Sequence, residues 1–99
     1  MAGIQPVLPF RLDALDTHPA LSRAALHRSG DWPAAGAVVA MPARNEAERI
    51  EASLLALVAE LRSGEGIVLA VNGTEDDTVR RALDLLRAHG ATFLLIDLD

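Results

Sequence analysis

Two polar turns hold the residues of this chain whose types and spacing could do chemistry. The first is Pro42-Ala43-Arg44-Asn45-Glu46, after the apolar run Val38–Met41; the second is Asn72-Gly73-Thr74-Glu75-Asp76-Asp77-Thr78, after Ile67–Val71. Each turn opens an amphipathic helical stretch. The start of a helix presents unpaired amides and the positive end of the helix dipole, which suits anionic or polar ligand groups. Asn72 adds an amide that both donates and accepts at a strand tip, which suits the edge of a nucleobase. Gly73 permits a positive φ or a close backbone approach beside it. Both turns also have a purely structural reading. Asn45 would then cap a helix and Glu46 would be a favourable first-turn acid, while Glu75, Asp76 and Asp77 would stabilise the second helix start.

The other chemically suggestive residues combine less well. Asp97-x-Asp99 is a carboxylate pair of the kind that holds divalent cations, but it falls at the end of a third strand. His18, His27 and His89 have no ligand spacing, and His89 falls in a last helical turn, where a partly cationic ring complements the dipole. Gly64-x-Gly66 lies between a helix and a strand, the wrong side for a dinucleotide fingerprint. No Gly-x-Ser-x-Gly elbow is present. No catalytic residue and no metal ligand is assigned in this chain.

Composition removes several function classes. Fourteen acids against nine bases give a net charge of −5, with no basic run, so a nucleic-acid interface is not expected. All the bases are Arg, which excludes P-loop and Schiff-base chemistry by a lysine. The absence of cysteine excludes thiol catalysis, disulfides and cysteine-type zinc sites. The apolar runs are strand-sized, far short of the roughly 20 residues of a membrane helix. The first residues lack the pattern of a signal peptide, so a cytoplasmic protein is the default expectation.

The elements that must position the two turns follow from periodicity. Residues 1–36 read as an N-terminal extension. Thr17-His18-Pro19 starts a short helix there, and Leu21, Ala24, Ala25 and Arg28 share its face up to Ser29-Gly30. Asp31–Gly36 is a connector in which Trp32 serves as a packing anchor. Residues 37–99 read as a partial α/β domain. Strands are predicted near residues 37–41, 67–71 and 92–97, and helices near residues 46–62 and 75–89. Asn45 with Glu48, and Thr74 with Asp77, are the predicted capping boxes. Ile50, Leu54, Leu57, Val58 and Leu61 form the buried stripe of the first helix. Val79, Ala82, Leu83 and Leu86 form that of the second. The order β-α-β-α-β implies a three-stranded parallel, Rossmann-like half-sheet with right-handed crossovers. Asn45, Glu46 and Asn72 should then share the rim at the carboxyl ends of the strands.

Together, the segments Met41-Pro42-Ala43-Arg44-Asn45-Glu46 and Ala70-Val71-Asn72-Gly73-Thr74-Glu75-Asp76-Asp77-Thr78 resemble the opening of a family-2 glycosyltransferase of the A-type (GT-A) fold. The resemblance covers roughly residues 37–99. It implies that Pro42, Ala43, Asn45 and Glu46 contact the nucleoside of a nucleotide-sugar donor and that Asn72, beside Gly73, reads the base. A UDP-sugar is the implied donor. The family commonly has Asp at both strand-tip positions, where this chain has Val71 and Asn72. The implied reaction is transfer of the sugar to an acceptor hydroxyl, with inversion. The complete enzyme would use a divalent metal, Mg or Mn, held by an Asp-x-Asp after a fourth strand; Asp97-x-Asp99 comes one helix and one strand too early. On this reading the chain is the N-terminal, donor-binding portion alone, inactive by itself. Its first strand would be left as an open edge that self-associates unless residues 1–36 cover it. The alternatives are a sugar nucleotidyltransferase-like domain, which would need a Gly-rich loop after the first strand, and an α/β interaction module without a ligand.

Overall fold

The computed structural model describes residue 21 and residues 24–72 and 76–98 of the chain. The elements run β1 (Ala25–Arg28), β2 (Val38–Ala43), α1 (Ile50–Glu60), β3 (Gly66–Val71), α2 (Thr78–Ala88) and β4 (Phe93–Asp97). They form an α/β unit built on one mixed four-stranded sheet in the order β1-β4-β3-β2. β2 pairs with β3 in parallel, from Val38 opposite Gly66 to Ala43 opposite Val71. β3 pairs with β4 in parallel, from Ile67 opposite Phe93 to Val71 opposite Asp97.

The N-terminal segment corrects the sequence expectation. Ala25–Arg28 is a strand, antiparallel to β4, where the last turn of a short helix was expected. The apolar residues there fit both periods: Ala24 and Leu26, two apart, both pack against the core. What decides between the periods lies elsewhere in the chain. The outer backbone groups of β4, a strand buried at four of its five positions, need partners, and β1 supplies them. The half-sheet expected from residues 37–99 is therefore completed by a fourth strand from residues 1–36. The start of that expected helix, Thr17 to Pro19, lies outside the described residues.

The two faces of the sheet are covered differently. On one face Ile67, Leu69, Val71, Phe93 and Leu95 pack under Ile50 and Leu54 of α1 and Ala82, Leu83 and Leu86 of α2. The alternate residues Val68, Leu94 and Ile96 point to the other face, where Trp32 and Ala34 cover them. This connector packs closely enough to dictate a glycine. A Cβ on Gly66 would lie 2.9 Å from the Ala34 Cβ and 3.1 Å from the Thr92 carbonyl oxygen.

Helix α2 ends as the sequence indicates. Gly90 takes φ 63°, its amide bonds the Arg87 carbonyl, and Ala91 bonds the Leu86 carbonyl, the pattern of a Schellman motif. The helix starts differ from expectation. α1 begins at Ile50 behind Arg49, whose side chain does not cap it, so Asn45 does not stand at the capping position expected of it. Asp77 precedes α2 without capping it, and Thr74 lies outside the described residues.

β2 is an edge strand among the described residues. Gly66 donates to the Ala37 carbonyl and Asn72 to the Ala43 carbonyl, each at 3.0 Å, so residues 37, 39, 41 and 43 turn their backbone groups to β3. Val38, Ala40 and Pro42 turn theirs outward. Pro42 has no N–H to offer, which is why proline is tolerated there.

Candidate functional site

Because β2, β3 and β4 are parallel and in register, Ala43, Val71 and Asp97 end level on one rim. At this rim a cleft of about 370 Å³ is lined by Pro42, Ala43, Arg44, Glu46, Ala70, Asn72 and Leu98. Pro42, Ala43, Glu46 and Asn72 were singled out from the sequence, and they come from two different strand tips. Asn45 belongs to the same turn but does not line the cleft, and Gly73 lies outside the described residues. Arg44, Ala70 and Leu98 were not singled out. Arg44 sits inside the first motif, and Ala70 follows from Asn72 by the period of a strand. Leu98 could be found only from the register of the third strand.

The cleft is apolar at its strand ends and polar at its mouth. Pro42, Ala43, Ala70 and Leu98 supply carbon surface, while Asn72 and Arg44 are exposed and Glu46 is half-buried. The Glu46 carboxylate lies 3.2 Å from the Arg49 Nε across one turn. A nearby hollow of about 640 Å³ lies between the outer surfaces of α1 and α2, among Glu51, Leu55, Arg80, Arg81, Asp84, Leu85 and His89. Its walls are ion pairs, Arg80 with Asp84 and Arg81 with Glu51 at 3.7 and 3.9 Å, which makes it a solvated helix groove. The smaller cleft is the better candidate, because backbone ends and an amide meet carbon surface there.

The turn before α1 is held by α2. The Glu46 amide donates to Thr78 Oγ1 at 3.0 Å, and the Ala47 amide donates to Asp76 Oδ2 at 3.2 Å. Thr78 itself donates to Asp76, from its amide at 3.1 Å and from its hydroxyl. Arg81 donates to the Ala47 carbonyl at 2.9 Å and to Asp77 at 3.1 Å. Thr78 is fully buried in this network. Asp76 therefore does more than favour a helix dipole, the role the sequence suggested.

These bonds move carboxylate pKa values in one direction. The Thr78 hydroxyl, then backbone amides, hold Asp76 below the ordinary 3.8. Hydrogen bonds from Arg81 and Arg80 hold Asp77 below it as well. A carboxylate depressed on folding contributes stability above its unfolded pKa and loses it as pH falls through the lower, folded value. Stability should thus be flat from neutrality down to about pH 4 with respect to these groups and fall below it. Urea midpoints measured against pH check this, and Asp76→Asn should flatten the acid limb. An unchanged limb in the variant would remove Asp76 from the acid response.

Among the described residues no group of three or more His, Cys, Asp or Glu side chains is placed to hold a metal ion. No helix there is long and apolar enough to cross a membrane. Comparison with protein-family models, with curated proteins and with solved structures returned no match.

Proposed function

We propose that this chain forms the donor-binding part of a GT-A-type, family-2 glycosyltransferase, with the rim cleft as the seat of the donor's nucleoside. The observation that carries the reading is that Glu46 and Asn72, which follow two separate strands, line one cleft together with the carbon surface of Pro42 and Ala43. Pro42, Ala43 and Leu98 would lie against the base and ribose. The Asn72 amide would donate to a base carbonyl and accept from the imide of a uracil. Glu46 would accept a ribose hydroxyl or imide proton. On this reading β2, β3 and β4 are the first three strands of a Rossmann-like sheet, with the ligand at their carboxyl ends.

Sugar transfer itself uses other groups. Attack of an acceptor hydroxyl on the anomeric carbon needs a base, and departure of the diphosphate needs counter-charge. The described residues do not fit a divalent metal site, so the metal that the family resemblance implies is not assigned to them. The open β2 edge adds a second element to the proposal, self-association through that strand.

The test is titration of the chain with uridine, UDP and a UDP-sugar, followed through backbone amide resonances. Shifts should concentrate at Ala43, Glu46 and Asn72, with adenosine causing smaller ones. Asn72→Ala should weaken uridine binding by about tenfold, the worth of one or two hydrogen bonds. Its unfolding free energy should stay within about 0.5 kcal/mol, since the residue is exposed. Uridine shifts that are absent, or that lie away from this rim, would sink the donor-site reading.

A further inference from the structure

Two amides of the turn before α1, which would otherwise be open to an anion, are already occupied here. Glu46 N–H is taken by Thr78 Oγ1 and Ala47 N–H by the Asp76 carboxylate, while the Ala47 carbonyl is taken by Arg81. Both sides of one peptide plane's neighbourhood are thus held by side chains some thirty residues later in the sequence. At the other end of the turn, the Ala43 carbonyl is fixed by the Asn72 amide at 3.0 Å. Between these anchors Asn45 stands at φ 49°, in the left-handed region that asparagine enters more readily than other non-glycine residues.

We infer that Asp76, Thr78 and Arg81 form a clamp that shapes the turn beside the cleft, closes the Glu46 and Ala47 amides to anions, and holds Glu46 in place at the cleft for an uncharged ligand face. The clamp holds Glu46 at the cleft that Asn72 also lines, without touching a ligand there; none of its three members lines that cleft. Asp76 adds the electrostatic half. A carboxylate that accepts from the Ala47 amide, the Thr78 amide and the Thr78 hydroxyl places negative charge where the positive end of a helix would otherwise draw an anion. The ligand half of this inference rests on the donor-nucleoside reading; the clamp half does not.

The experiment uses amide resonances of the whole chain. In the wild type, Glu46 and Ala47 should exchange with solvent at least about tenfold more slowly than Arg44, because their N–H groups are bonded. Inorganic phosphate should shift neither of them. In Asp76→Ala the same titration should shift the freed amides of Ala47 and Thr78. Asp84→Asn, which removes the same charge from an exposed pair with Arg80, should leave them unmoved. Uridine affinity should drop severalfold in Asp76→Ala and recover in Asp76→Asn, which restores an acceptor. Fast exchange at Glu46 and Ala47, or phosphate shifts at these amides in the wild type, overturns the clamp whether or not the variants fold. A wild type that ignores uridine while both amide results hold would sink the donor reading and leave the clamp standing.

Discussion

Replacing Trp32 by alanine should lower the unfolding free energy by about 3–5 kcal/mol, the range for deleting a large buried aromatic side chain. Total stabilities of single domains are about 5–15 kcal/mol, so this is a large share. Trp32 is 7% exposed and packs with Ala34 on Val68, Leu94 and Ile96. Both helices lie on the opposite face, so among the described residues this one indole is the largest cover the second face has. Among the described residues its buried Nε1 has no hydrogen-bond partner, a cost that the ring's burial outweighs. Trp32→Phe keeps most of the carbon contact and removes that donor, so it should cost less than about 1.5 kcal/mol. Urea unfolding of the two variants checks the pair. A loss below 1 kcal/mol for the alanine variant, roughly that of an average substitution, would mean that the connector does not seal the sheet.

The same residue marks how far the sequence could be read. An indole in a Pro- and Gly-rich connector is a packing anchor by its size, and that much is legible. The sheet it seals was legible too at three strands. Val38–Met41, Ile67–Val71 and Phe93–Ile96 are short continuous apolar runs separated by helical stripes, and each runs in the order that parallel pairing needs. β1 was not legible. Eight residues from Leu21 to Arg28 fit period 3.6 as well as period 2, and the choice was made by the open backbone of β4, which no local pattern records. The helix starts were misread for a related reason. Asn45 and Glu48 have capping spacing, yet the turn takes its shape from Thr78, Asp76 and Arg81 reaching across from the next unit. A capping rule compares residues three apart; these contacts span 29 to 34 positions. At the rim, Pro42, Ala43, Glu46 and Asn72 could be named because a strand that stops at a polar turn announces which side chains stand at its tip. Leu98 could not, since its place beside them follows from the pairing of Val71 with Asp97.

The side of β2 that no described residue pairs with should make the chain self-associate as its concentration rises, and a single lysine should prevent it. From Ala37 to Ala43 the strand carries no charged residue, and the outward backbone set consists of the N–H and C=O of Val38 and Ala40 with the C=O of Pro42. Natural edges are guarded by charge, proline or brevity. This one has proline alone, at its last outward position, so two donors remain to bond another strand. The described part of residues 1–36 does not cover it, because β1 lies at the far side of the sheet, beyond β4. A symmetric antiparallel pairing of β2 with β2 of a second copy would use the same groups twice and close on itself. Val39, 40% exposed, would bury apolar surface in the process. Sedimentation should show mass rising with concentration, and the Val38 and Ala40 amides should broaden together. Ala40→Lys puts a cation at the centre of that edge, where two copies would bring like charges together. It should hold the chain monomeric while leaving its unfolding free energy within about 0.5 kcal/mol, as for exposed positions generally. Mass that stays monomeric in the wild type at every concentration, or association that Ala40→Lys leaves untouched, would show that β2 is not the sticking edge.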